Sequence, residues 1–235
     1  MKLIPVIDLM QGQVVRAVRG DRQAYRPIVS PLCASSEPAT VAKILCEHCA
    51  THQLYVADLD ALLGRPAQTE VLRALLQAIP GLELWLDAGF ANRHAADALR
   101  LELGADSRQL VPVFGSESLV SREELERCFG DGKDDAGVLS LDRRDGRKLD
   151  LAGCWDAPGL WPGRVIVMTL ERVGAGAGPD LQTLAEVRRK SPSTFMVGAG
   201  GIRNPADLEA ARAAGAGAWL VASALHDGGL PPVHG

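Results

Sequence analysis

Nearly continuous apolar runs recur along the chain and end near Asp8, Asp58, Asp87, Phe114, Asp142, Thr169, Gly198 and Val221. Runs such as Leu3–Ile7, Leu110–Phe114, Val165–Met168 and Ala218–Val221 lack polar alternation, which predicts parallel strands covered on both faces. Between them, apolar residues return at helical spacing over Pro38–Ala50, Ala67–Ile79, Arg93–Leu103, Ser121–Phe129, Pro179–Lys190 and Pro205–Ala214. Pro38, Pro179 and Pro205 stand near helix starts, where a missing N–H costs little. Leu149–Gly163 is rich in Gly, Pro and Trp and predicts an irregular segment.

Strand–helix alternation fits an open doubly wound sheet as well as a barrel. An internal repeat decides between them. Ala88-Gly89-Phe90, Ala96-Asp97 and Gly104-Ala105 have counterparts in Ala199-Gly200-Gly201, Ala206-Asp207 and Gly215-Ala216, at a spacing of about 111 residues. Asp58 matches Thr169 at the same spacing, and Asp8–Gly12 matches Asp142–Gly146 with a longer first loop. Four strands repeated once predict an α/β fold, a single (β/α)₈ TIM barrel over 1–235, with half-barrels of about 1–130 and 131–235.

Composition narrows the class. A chain of 235 residues, 47% hydrophobic, can bury one large core. A net charge of −4 offers no basic footprint, so neither nucleic acid nor a membrane is expected as a partner. No apolar stretch reaches spanning length, and the N-terminus lacks a signal-peptide pattern. An odd count of cysteines, 5, without framework spacing predicts reduced thiols and a cytoplasmic setting. Cys46-Glu47-His48-Cys49 lacks a second pair at zinc-finger spacing, so thiols rather than metal ligands are expected.

In such barrels the chemistry sits where strands end. Asp8 and Asp142, on the first and fifth strands, face each other across the mouth and can flank a small substrate, one taking a proton and one giving it. Gly198-Ala199-Gly200-Gly201 opens a helix, where backbone N–H groups and the helix dipole suit a phosphate; Ala222 and Ser223, after the last strand, complete a cup. The related turn Asp87-Ala88-Gly89-Phe90 puts a carboxylate and a ring where the other loop has glycines, which disfavours a second phosphate. Arg19, Asp58, Asp87, Gly115 and Ser116 are further candidate substrate contacts, and Asp60 also stands at a strand end. The cationic stretch Arg16–Glu37, with Arg19, Arg22, Tyr25 and Arg26, has the length of an active-site lid.

Ile4-Pro5-Val6-Ile7-Asp8-Leu9, Gly12-Gln13-Val14-Val15-Arg16, Ala57-Asp58-Leu59-Asp60-Ala61, Ser140-Leu141-Asp142 and Gly198-Ala199-Gly200-Gly201-Ile202 together resemble HisA, of the HisA/HisF superfamily of phosphate-binding barrels. The resemblance spans nearly the whole chain. It implies Asp8 as general base, Asp142 as general acid and Thr169 as a supporting hydrogen-bonding group in an Amadori rearrangement of an aminoaldose to an aminoketose, with no metal or organic cofactor. Two departures fall at the mouth: Asp87-Ala88-Gly89-Phe90 replaces the family's Gly-rich turn, and Val173-Gly174-Ala175 replaces its Asp-Gly-Thr. The leading expectation is therefore an isomerase acting on a small phosphorylated metabolite other than the histidine-pathway substrate. The alternatives are a condensation or lyase step in pterin-type one-carbon cofactor biosynthesis on the same scaffold, and a non-catalytic phosphate-ligand binding protein.

Overall fold

The computed structural model describes residues 1–16, 24–130 and 137–233. In chain order the elements are β1 (Lys2–Met10), β2 (Gln13–Arg16), β3 (Arg26–Pro27), α1 (Pro38–His48), β4 (Gln53–Asp58), α2 (Leu59–Leu62), α3 (Thr69–Ala78), β5 (Glu83–Asp87), α4 (Arg93–Leu103), β6 (Leu110–Gly115), α5 (Arg122–Phe129) and β7 (Val138–Arg144). They continue with β8 (Arg147–Leu149), β9 (Arg164–Thr169), α6 (Leu181–Lys190), β10 (Phe195–Ala199), α7 (Pro205–Ala213), β11 (Ala218–Val221) and α8 (Ser223–His226).

Eight of these strands pair in parallel in the order β1-β4-β5-β6-β7-β9-β10-β11, and β11 returns to β1 with Lys2 opposite Ala218 and Pro5 opposite Val221. That last pairing closes the sheet into a (β/α)₈ barrel, and the open-sheet alternative is thereby excluded. Alternation along each strand sorts side chains into two layers. Ile4, Tyr55, Trp85, Val111, Val113, Val138, Ile166, Val197, Ala218 and Leu220 fill the barrel interior. Their neighbours Ile7, Leu9, Leu54, Val56, Leu84, Leu86, Val165 and Val167 point outward. They meet Val41, Leu45, Leu72, Leu75, Leu99, Leu125, Leu184 and Val187 of the surrounding helices. Each such apolar side chain contributes about 2 kcal/mol on burial. The near-continuous apolar runs of the sequence are these doubly buried strands.

The predicted strand ends lie within two residues of the observed ones, and α4 has the predicted bounds. Leu149 closes β8, and the segment from there to Gly163 holds only two short 3₁₀ turns, at Cys154–Asp156 and Pro158–Leu160. Its Trp155 and Trp161 are buried, and Trp161 Nε1–H donates to the Cys154 carbonyl at 2.8 Å. The four-residue helices α2 and α8 leave no mark on the sequence pattern, since one turn is too short to show a period. All five cysteines are free and buried, and burial pushes the Cys46 thiol up to about 11 and Cys49 to about 12. Among the described residues no helix is long and apolar enough to cross a membrane, and no group of His, Cys, Asp and Glu could hold a metal ion.

Candidate active site

A cavity of about 680 Å³ opens at the C-terminal ends of the barrel strands. It falls within the range usual for small-molecule sites. The strand positions that reach it share one parity. Asp8 follows Val6 inward on β1, Asp87 follows Trp85 on β5, Asp142 follows Ser140 on β7, and Met168 follows Ile166 on β9. β1 and β7 are four strands apart in either direction round the barrel, so Asp8 and Asp142 stand on opposite walls.

Asp142 is the most enclosed of these carboxyls, with 5% exposure. Its Oδ1 accepts from the Ser140 hydroxyl at 2.6 Å and its Oδ2 from the Glu117 N–H at 3.3 Å. Burial raises its pKa well above the ordinary carboxyl value, and the charges of Glu117 and Asp87 push the same way, against the two hydrogen bonds. Gly115 makes the room: a Cβ there would stand 2.9 Å from Asp142 Oδ2. Ser116 accepts from the Asp142 N–H at 2.9 Å and donates its proton to the Leu149 carbonyl at 2.6 Å. Gly115 and Ser116 thus seat the carboxyl and do not line the cavity as substrate contacts.

Tyr55 lies at the centre of the acidic wall. It is buried on β4, and its hydroxyl donates to Asp87 Oδ2 at 2.9 Å. Burial first, then the charges of Asp87, Asp142 and Asp8, hold the phenol protonated far above neutral pH. Asp87 also accepts from the Gly89 N–H at 3.2 Å. Sequence reasoning missed Tyr55 because it sits three residues before the strand end. The inward parity it shares with Ala57 was the available signal.

The opposite wall is built from backbone. Gly200 and Gly201 take consecutive left-handed conformations, with φ of 82° and 84°. A Cβ on Gly201 would meet the Gly178 carbonyl at 2.1 Å, and one on Gly200 would meet the Arg172 backbone at 3.2 Å. Only glycine fits, and the turn lies open to the cavity beside Ala222 and Ser223. Two arginines stand at its rim. Arg203 is held by Asp207 at 2.8 and 2.9 Å, and Arg172 by the carbonyls of Ala177 and Gly178 at 2.8 and 3.1 Å.

Three expected site residues belong to the outward parity and are corrected accordingly. Asp58 is fully buried and accepts from the Ala61 N–H and from both Gln68 N–H and Nε2, so it braces α2 and the start of α3. Thr169 donates to Asp180 Oδ2 at 3.0 Å, beside the N-terminus of α6, while its neighbour Met168 takes the cavity position. Gly198 lies under the Trp219 ring, which a Cβ would meet at 2.2 Å, and is there for packing. Asp60 accepts from the Gln11 N–H at 2.9 Å and pairs with Arg65 at 3.0 Å. Of the lid stretch, Arg16 and Tyr25 line the cavity, and Arg16 pairs with Asp227 at 2.6 Å. Arg19 and Arg22 lie outside the described residues.

A closed (β/α)₈ barrel with this site belongs to a recognisable class of phosphate-binding barrels. Residues 2–231 match the model of the family described as histidine biosynthesis protein, and the chain belongs to that family, within the HisA/HisF superfamily. An uncharacterized protein of Methanocaldococcus jannaschii is 30% identical over 98% of this chain and 95% of its own. Two relatives are imidazole-4-carboxamide isomerases whose names describe a substrate with two 5-phosphoribosyl groups. That of Cenarchaeum symbiosum is 30% identical over 97% of this chain and 96% of its own, and one from Thermus thermophilus is 30% identical over 97% and 95%.

Proposed function

We propose that this barrel is an isomerase-type enzyme that shifts a proton within a sugar phosphate held by a single phosphate group. The reading is carried by Asp142: a carboxyl seated in the cavity on the wall opposite Asp8, whose burial raises its pKa well above the ordinary carboxyl value. A neutral acid and a second carboxyl across a small substrate are what an aldose–ketose interconversion needs. Asp142 gives its proton to the sugar ring oxygen as a lone pair on the C1 substituent opens the ring, and Asp8 takes the proton from C2 to leave an enol; Asp8 then returns a proton to C1 while the C2 hydroxyl proton goes back to Asp142, which gives the ketose and restores both carboxyls. The Gly200–Gly201 turn and Ser223 hold the phosphate and fix the sugar between the two. Names of the isomerase relatives support the reaction type. The proposal of a single phosphate, unlike the two of their named substrate, is supported by the loop after β5, which lacks the paired left-handed residues of the Gly200–Gly201 turn.

Solvent isotope exchange tests the chemistry even with the substrate unidentified. In deuterated water, the enzyme incubated with a phosphorylated metabolite fraction is expected to add one deuterium to one compound and to convert it to an isobaric product. Asp8→Asn should lose both signals. Absence of exchange and of isobaric conversion with the native protein would overturn the reading. The divergence is tested separately, by expression in a histidine auxotroph lacking its own isomerase: no rescue is expected, and robust growth would sink it.

A further inference from the structure

Two serines meet the carboxyl of Asp142, and they differ in where their protons go. Ser140 stands two residues before Asp142 on β7 with the same inward parity, buried in the barrel interior, and its hydroxyl lies 2.6 Å from Asp142 Oδ1. That hydroxyl has no other hydrogen bond among the described residues. A serine hydroxyl carries one proton and two lone pairs. If Asp142 donated to it, the serine proton would be left buried without an acceptor, so Ser140 donates and Oδ1 accepts.

Ser116, just past β6, is buried too, but its proton is committed elsewhere. Its hydroxyl donates to the Leu149 carbonyl at 2.6 Å while its oxygen accepts the Asp142 N–H at 2.9 Å, which leaves one lone pair 3.4 Å from Asp142 Oδ2. Apart from that contact, Oδ2 receives only the Glu117 N–H, at 3.3 Å. Gly115 adds to the asymmetry, since a Cβ there would stand 2.9 Å from Oδ2 and the bare backbone leaves that oxygen clear. The two oxygens are therefore unlike. Oδ1 is held by a short bond from a buried donor, as suits a carbonyl oxygen. Oδ2 meets a lone pair and a long N–H contact, as suits a carboxylic O–H.

We infer that Ser140 is a positioning residue for the acid: its hydroxyl fixes Oδ1 as the carbonyl oxygen of Asp142 and so leaves the transferable proton on Oδ2, with Ser116 as its resting acceptor. The inference rests on reading Asp142 as the acid of an isomerase, and it specifies from which oxygen the proton leaves. Without Ser140 the carboxyl is free to turn about its Cβ–Cγ bond and to present the proton from either oxygen, which loses the orientation that proton transfer needs. The same hydrogen bond favours the charged form, so Ser140 offsets part of the upward pKa shift that burial imposes on Asp142.

Infrared difference spectroscopy reads the proton without a substrate. At neutral pH, the native protein minus Asp142→Asn should show the C=O band of a protonated carboxyl. In Ser140→Ala, taken against its own Asp142→Asn partner, that band should move to higher frequency, because the C=O has lost its hydrogen bond. Ser140→Cys, a weaker donor of similar shape, should move it the same way by less, and it serves if Ser140→Ala does not fold. In the deuterium-incorporation assay Ser140→Ala should be slower by about 10-fold at the native optimum, with inorganic phosphate affinity within about 2-fold of native and the alkaline limb of the pH profile moved upward. Glu117 and Asp87, whose charges act on Asp142, and Tyr55, Asp8, Cys154 and Arg144 around it are unchanged in this variant, so the movement reports Ser140. A band that stays in place in both Ser140 variants, or an alkaline limb that stays or falls, would overturn the inference and leave Asp142 standing as the acid. If the native spectrum has no protonated-carboxyl band, Asp142 is ionised; the isomerase reading then fails first and the inference falls with it.

Discussion

The loops after β5 and β10 each leave the barrel at an inward-facing residue, pass through a left-handed glycine and enter a helix capped by asparagine. One ends at the cavity as bare backbone, with Gly200 and Gly201 both in the lining. The other turns its glycine beneath Leu62 and sends in the carboxylate of Asp87. The scaffold is the same, and what each loop presents to the cavity differs. Whatever positions a βα loop is therefore separable from what the loop offers.

The acidic wall acts on Asp142, and the largest effect is expected there. Asp142→Asn should reduce turnover by roughly 10²- to 10⁴-fold, the usual contribution of a positioned acid. It should also stabilise the protein at neutral pH. The folded carboxyl holds its proton above the pH at which the unfolded one has lost it, so stability falls as pH rises through the folded pKa, and asparagine escapes that cost. Activity and urea melts at pH 7 check both; a loss of stability would mean that Asp142 is a structural carboxylate. Next comes the glycine pair. Gly201→Ala drives a Cβ to 2.1 Å from a carbonyl and should cost about 3 kcal/mol and the affinity for inorganic phosphate. Gly89→Ala meets Leu62 Cδ2 at 3.2 Å and the Leu62 Cα at an ordinary 3.5 Å, and with its left-handed backbone should cost about 1 kcal/mol, with phosphate affinity unchanged. Equal effects on phosphate binding would erase the contrast between the loops.

The order of elements is legible because eight buried apolar runs and the helical spacing between them are strong, local signals. The cavity pair Asp8 and Asp142 is legible from strand ends. What fails is parity. Asp58, Thr169 and Gly198 end strands too, but one residue of register sends each to the outer face, where it braces a helix or makes room for Trp219. A repeat of about 111 residues sets Asp87 against Gly198. The strand-end structure sets it against Ala199, one residue further on, and only backbone conformation reveals that slip. Tyr55 escapes a reading of strand ends because its importance is three-dimensional: it touches Asp87 from the neighbouring strand, four residues short of the next helix.

A smaller effect concerns how the glycine-lined wall is held. His226, in α8 just beyond Ser223, is buried and shares a 2.9 Å hydrogen bond with the Ser30 hydroxyl. Burial, with Arg16 nearby, lowers its pKa from 6.5 to about 4. Between those values the unfolded chain carries a proton that the folded chain lacks, so stability falls as pH drops through that window. The loss should be about 2 kcal/mol, discounted for screening by the exposed Arg16–Asp227 pair. His226→Asn should flatten the stability profile between pH 6.5 and 4. An unchanged slope would place the acid sensitivity elsewhere.

The smallest prediction bears on the shared scaffold. Asn92 accepts from the Ala95 N–H at 2.9 Å and Asn204 from the Asp207 N–H at 3.1 Å, so each satisfies one of the open donors at its helix start. Asn92→Ala and Asn204→Ala should each cost about 1 kcal/mol in urea melts. The two costs should agree within about 0.5 kcal/mol, because the caps have the same backbone geometry, although Pro205 opens one helix and Arg93 the other. Phosphate affinity should then separate them: it should weaken for Asn204→Ala, whose helix follows the Gly200–Gly201 turn, and not for Asn92→Ala. A loss of binding in Asn92→Ala of similar size would show that the loop after β5 still contributes to an anion site, and would remove the distinction on which the single-phosphate reading depends.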